Sequence, residues 1–207
     1  MEILTELRKA TGPLHQRIEE LPASKAMLSG EIDRDCYAQL LSKLYHLHAA
    51  YEAGLAGCPE VLTVWPRTPS RAAALARDLQ AFEVEPGESP EWVTAWVAEI
   101  QSCAHPAAWA GAGYVFEGSR MGSRILARSV SRGLGLEMRL GVGLDYHLDA
   151  GEDPNGNWKR VMGSLAALDR DAEARTAILS AAVRTFEILY AVHATAYEPA
   201  AAFEVIG

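Results

Sequence analysis

The stretch Trp109 to Val130, WAGAGYVFEGSRMGSRILARSV, limits what this chain can fold into more than any other. Val115, Phe116, Met121, Ile125, Leu126 and Val130 recur at helical spacings with alanines between them, which predicts one long helix. The same stretch contains Gly111, Gly113, Gly118 and Gly122. A glycine inside a helix costs about 1 kcal/mol relative to alanine, and four cost roughly 4 kcal/mol, against a domain stability of about 5–15 kcal/mol. Something must offset that cost. At about 100° per residue, Gly111, Gly118 and Gly122 fall near one face, which is left without side chains. The pairs Gly118-Ser119 and Gly122-Ser123 are also natural bend sites. Two uses of such a face compete: close packing of another helix, or a flat ligand laid on the backbone.

The rest of the chain reads as helices as well. Leu4, Leu7, Leu14, Ile18 and Leu21 make a stripe over residues 3–20, with Gly12-Pro13 marking either a kink or a fresh start. Residues 33–56 form a second helix, capped by Asp33, and residues 60–69, with Pro66 and Pro69, a loop. Ser70 caps a helix over 70–83, and Pro90 opens another that reaches Ser102. The glycine-bearing helix begins at Pro106 and stops near Gly133 or Gly135. Residues 135–157 form a glycine-rich loop with one short piece around Leu140 to Leu148. A short helix near 156–168 precedes a long one from Asp169 or Asp171 to about Tyr197. No alternating strand and no repeat is present. The expected architecture is all-α, about seven helices in a single domain spanning residues 1–207.

Composition narrows the function. A net charge of −8 with no basic stripe argues against nucleic acid. No uncharged apolar run of about 18 residues suggests a membrane span, and the charged start MEILTELRKA lacks an apolar signal core. Three cysteines without CxxC spacing fit a reducing compartment, so a cytoplasmic location is expected. Neither HExxH nor an ExxH pair occurs, which weakens a di-iron carboxylate reading, and no GxSxG elbow supports a serine hydrolase.

Six histidines remain as reactive candidates: His15, His46, His48, His105, His147 and His193. His15 lies on the flank of the first apolar stripe, half toward the core and half toward a cleft. A neutral imidazole there suits an axial ligand to haem iron, and a glycine face suits the opposite side of the ring, leaving room for a small gas ligand. His46, His48 and His193 read instead as core-edge histidines.

The segments TGPLHQRIEELP, LLSKLYHLHAAYE and GYVFEGSRMGSRI, in that order, resemble the haem oxygenase family, especially its compact bacterial branch. GLDYHLDAGEDPNGNWKRV resembles that branch too, and the likeness covers about residues 3–195. It implies an all-α haem oxygenase-like bundle in which haem is both cofactor and substrate. His15 would be the proximal iron ligand, and Gly118 and Gly122 would lie over the distal face at a bend. The implied reaction is oxidation of haem by O2 and external electrons to biliverdin, CO and ferrous iron. A ferredoxin or flavoprotein reductase would be the electron donor, and a bilin-binding photoreceptor a candidate recipient. Arg8 and the pair Lys159 and Arg160 match the family's basic positions for the haem propionates, with the Tyr114 hydroxyl added. Glu19, one turn after His15, would hydrogen-bond the imidazole. Two departures stand out: Ser119 where many members carry aspartate, and Ser123 where a second glycine commonly follows. Two alternatives stay open: a haem carrier without turnover, which Ser123 allows, and a metal-free, thiaminase-like helical hydrolase using Cys36 or Cys103.

Overall fold

The computed structural model of the chain describes residues 2–148 and 153–196. They hold eleven helices: α1 (Glu2–Glu20), α2 (Pro22–Ser29), α3 (Arg34–Ala56), α4 (Pro59–Leu62), α5 (Arg71–Ala81), α6 (Glu91–Ser102), α7 (Ala108–Ser119), α8 (Ser123–Leu134), α9 (Asp145–Leu148), α10 (Pro154–Leu168) and α11 (Ala172–Ala194). The described residues contain no strand. The expected caps form. Asp33 accepts from the Cys36 amide at 2.8 Å, Ser70 from Ala73 at 3.0 Å, and Asp171 from Ala174 at 2.8 Å. Each satisfies an amide that a helix start would leave without a partner.

The core is organised around α11. It packs most extensively against α7 and α1, and also touches α2, α3 and α6. By length and composition α11 could cross a membrane, but Ala174, Ala177, Ile178, Ala181, Ala182, Phe186, Leu189 and Val192 are buried within the bundle. Its apolarity is that of a core helix. Its small residues let α7 approach closely. A side chain at Gly111 would run into the carbonyl of Ile178, and one at Gly113 into Trp65 and the Tyr51 hydroxyl. Gly111 is thus used for helix packing and is not part of a ligand face.

The structure departs from the sequence-based expectation in several places. Gly12-Pro13 does not interrupt α1: Pro13 is exposed, the Thr11 hydroxyl donates to Leu7 O at 2.7 Å, and buried Ile3, Leu7 and Thr11 hold the helix down. The short helices α2 and α4 are additional. The 140–148 piece narrows to the single turn α9. The expected long glycine-bearing helix is two helices, α7 and α8, separated by Arg120–Gly122. The common stripe is lost across the break: Met121 and Ile125, expected in it, are 42% and 59% exposed. The expected end of the last helix near Tyr197 lies outside the described residues.

Candidate functional site

The break between α7 and α8 is tight. Arg120 N donates to Glu117 O at 3.2 Å, Met121 N to Gly118 O at 3.1 Å and Ser123 N to Arg120 O at 3.3 Å, all three-residue bonds where a helix would use four. Both serines fold back onto the backbone. Ser119 Oγ donates to Phe116 O at 2.8 Å, and Ser123 Oγ donates across the break to Ser119 O at 3.1 Å. Ser123 is therefore buried and structural, where glycine would leave the break uncrossed. Gly118 is faced at 3.3 Å from an added Cβ by the ring of Trp158, which also lies 5.5 Å from the Tyr114 ring. A Cβ at Gly122 would meet nothing within 4 Å, and Ser119 and Gly122 are exposed. Of the glycines proposed to lie under a ligand, Gly122 thus presents bare, open backbone, and Gly118 is partly covered.

Behind this turn is a cavity of about 100 Å³. Its wall includes Ser119, Ser123, Phe116 and Leu126 from the distal side, Leu41 and Tyr37 from α3, Arg71, Tyr146 and His147, and Leu189 and His193 from α11. Several polar atoms here are buried without a hydrogen-bond partner: the Tyr37 hydroxyl, both ring nitrogens of His147, and Nε and Nη1 of Arg71. Burial pushes the His147 pKa down to about 3 and the Tyr37 phenol well up, so both are neutral near pH 7. Arg71 lies 3.8 Å over the Tyr146 ring, and the Tyr146 hydroxyl and His48 Nε2 share a hydrogen bond at 3.1 Å. Burial holds the His48 imidazole well below its ordinary pKa, and at 1% exposure it lies within the core and not at the core edge expected for it.

Further along the same face of α11 the His15 imidazole is exposed, with Nδ1 3.4 Å from a Glu19 carboxylate oxygen. Its ring meets Phe186 edge-on at 6.0 Å. Phe186, Leu189 and His193 follow one another at helical spacing, so one stripe of α11 runs from His15 to the cavity, over roughly 10 Å of rise. The same supports hold both sides: α10 and α11 each touch α1 and α7, and α2 touches α1 and α8. Three features of this region suit a flat, iron-bearing ring. The His15 imidazole is exposed, the Gly122 backbone is open, and polar atoms without partners line the cavity. Among the described residues no group of three or more His, Cys, Asp or Glu side chains is placed to hold a metal ion. Arg8, Lys159 and Arg160 are exposed, and Tyr114 is half-buried. Burial pushes the Cys36 thiol up to about 11 and raises that of Cys103, which weighs against either as the nucleophile of a hydrolase.

Sequence reasoning missed one buried cluster. Glu117 and Arg120, at 4% and 3% exposure, pair at 2.9 Å inside the turn. It also missed Asp78, fully buried, whose carboxylate accepts the amides of Asp145 and Tyr146 at 2.6 and 2.8 Å and so sets the start of α9. Nothing in the local pattern marks Asp78 or Arg120 as buried, and only an unusual charge on an otherwise apolar stretch could have marked Glu117.

A family model described as "Heme oxygenase" matches residues 1–195. A heme oxygenase of Xanthomonas campestris pv. campestris is 30% identical over 164 residues, 78% of this chain and 91% of the relative. The heme oxygenase of Leptospira interrogans superposes with a TM-score of 0.79 at 22% identity, covering 94% of this chain and 99% of that one. Heme oxygenase-1 of Synechocystis sp. PCC6803, solved in complex with heme, superposes with a TM-score of 0.74 at 20% identity, covering 93% of this chain and 91% of that one.

Proposed function

Because the chain belongs to the haem oxygenase family, we propose that it cleaves haem between α1 and the α7–α8 turn, with His15 as the proximal ligand. Bound haem supplies the iron and is itself the substrate, oxidised by O2 with external electrons to biliverdin, CO and ferrous iron. The chain's residues do the rest. Glu19 orients the imidazole through Nδ1, leaving Nε2 for the metal. Gly122, and Gly118 once the Trp158 ring shifts, let the turn lie against the opposite ring face. Ser119 and Ser123 hold their hydroxyls on carbonyls and so shape the turn, while the Tyr37 hydroxyl and the Arg71 guanidinium behind it are the proton-bearing groups. Arg8, Lys159, Arg160 and the Tyr114 hydroxyl steer the propionates. A ferredoxin or flavoprotein reductase delivers electrons, a bilin-binding photoreceptor is a candidate recipient of the product, and the setting is cytoplasmic.

The reading rests on one arrangement: the stripe Phe186, Leu189 and His193 joins exposed His15 to the cavity behind the distal serines. Hemin titration tests it. The wild type should give a Soret band that His15→Ala abolishes or shifts to a weakly bound form. With reductant and O2, the wild-type complex should turn into a biliverdin spectrum. Hemin uptake unaffected by His15→Ala would refute the assignment of the ligand.

A further inference from the structure

The buried Glu117–Arg120 cluster ties the distal turn to two distant segments. Thr68 Oγ1 donates to Glu117 Oε1 at 3.1 Å, and Asn157 Nδ2 donates to Glu117 Oε2 at 2.8 Å. Arg120 Nε pairs with Glu117 Oε2 at 2.9 Å, and its Nη2 donates to Pro69 O at 2.8 Å. A carboxylate and a guanidinium removed from water are expensive to hold, and such pairs are weak as stabilisers compared with apolar packing. Their value is directional: both groups have fixed hydrogen-bond geometry, so they set one orientation where apolar contacts would tolerate several.

The segment reached through Asn157 matters most. Asn157, Trp158, Lys159 and Arg160 are consecutive at the start of α10. Trp158 lies on Gly118, and Lys159 and Arg160 are exposed on the same turn. The carboxylate of Glu117 thus links the backbone that would cover the ring to the helix that would hold the ring's edge. We propose that Glu117, Arg120 and Asn157 are specificity-determining positioning residues, whose hydrogen bonds set the register between the α7–α8 turn and α10 and so decide which meso carbon of bound haem is attacked. This rests on the haem-cleaving role proposed above.

Glu117→Gln alone leaves a buried cation without its counter-charge and is expected to impair folding. The informative variants are Glu117→Met with Arg120→Met, which replaces the pair by apolar side chains of similar length, and Asn157→Ala, which cuts only the link to α10. Two readouts are taken. In the haem-free protein, hydrogen exchange of residues 118–124 should quicken by roughly tenfold in the double variant while the rest of the bundle is unchanged. In the haem-loaded protein, the ratio of the principal biliverdin isomer to the others should fall by roughly threefold or more in both variants. An unchanged isomer ratio overturns the proposal, whether or not exchange quickens, because a merely structural clamp would loosen the turn without altering the product. A wild-type Soret titration is run first: failure to take up hemin sinks the haem-cleaving reading, and this proposal with it. Normal uptake with an unchanged isomer ratio sinks this proposal alone.

Discussion

Glycines with the same cost in sequence have opposite roles in the fold. At Gly111 a methyl group would collide with the Ile178 carbonyl of the neighbouring helix, whereas at Gly122 it would meet open space. Gly111→Ala should therefore destabilise the protein by about 1–3 kcal/mol, seen as a lower urea midpoint. Gly122 has φ −91° and ψ −10°, which alanine adopts freely. Gly122→Ala should leave the haem-free protein as stable or up to about 1 kcal/mol more stable. The same methyl would stand on the face proposed for the ring, so hemin affinity should fall by roughly tenfold or more, measured by Soret titration. A loss of stability at Gly122, or unchanged affinity, would refute that division of labour. The sequence grouped these glycines by angle alone, and only the position of α11 separates them.

At the scale of elements, α9 shows how a short turn is held. Four residues do not nucleate a helix alone. Asp78 accepts two of its first amides, while Asp145 pairs with Arg77 at 2.5 Å. Burial pushes the Asp78 pKa up from the ordinary 3.8 to about 7. The folded protein therefore keeps a proton that the unfolded chain releases. This contribution to stability is complete below about pH 4 and is lost as pH rises toward 7, at up to about 1.4 kcal/mol per pH unit. Urea unfolding between pH 4 and 7 should show the decline, and Asp78→Asn should flatten it. A stability that rises over this interval equally in both proteins would contradict the assignment. The chain's helices were legible because capping and periodicity are local: Asp33, Ser70 and Asp171 cap where expected. The division of α7 from α8 was not, because residues 115–130 have helical periodicity throughout. The break is held by Thr68, Pro69 and Asn157, which are far away in sequence.

For the whole molecule, the two sides of the site belong to different parts of the bundle and share α2, α10 and α11 as supports. A ring bound to both would bridge them. Because a ligand that binds only the folded state stabilises it by mass action, hemin at about 100 times its dissociation constant should add about 2.7 kcal/mol to unfolding. Calorimetry should show this as a higher melting temperature in the wild type and little change in His15→Ala. Equal shifts in both would mean that hemin binds elsewhere.

From the sequence alone came the helical class, most helix starts, His15 on the flank of its stripe and the glycine-serine stretch, because each depends on residues within a turn or two of one another. The tertiary structure decided which glycines pack and which stay open, where the long helix breaks, and that Glu117, Arg120, Asp78 and Asn157 are buried partners. Those outcomes depend on which surfaces meet, and a charged residue's solvation is set by neighbours that the local pattern does not contain.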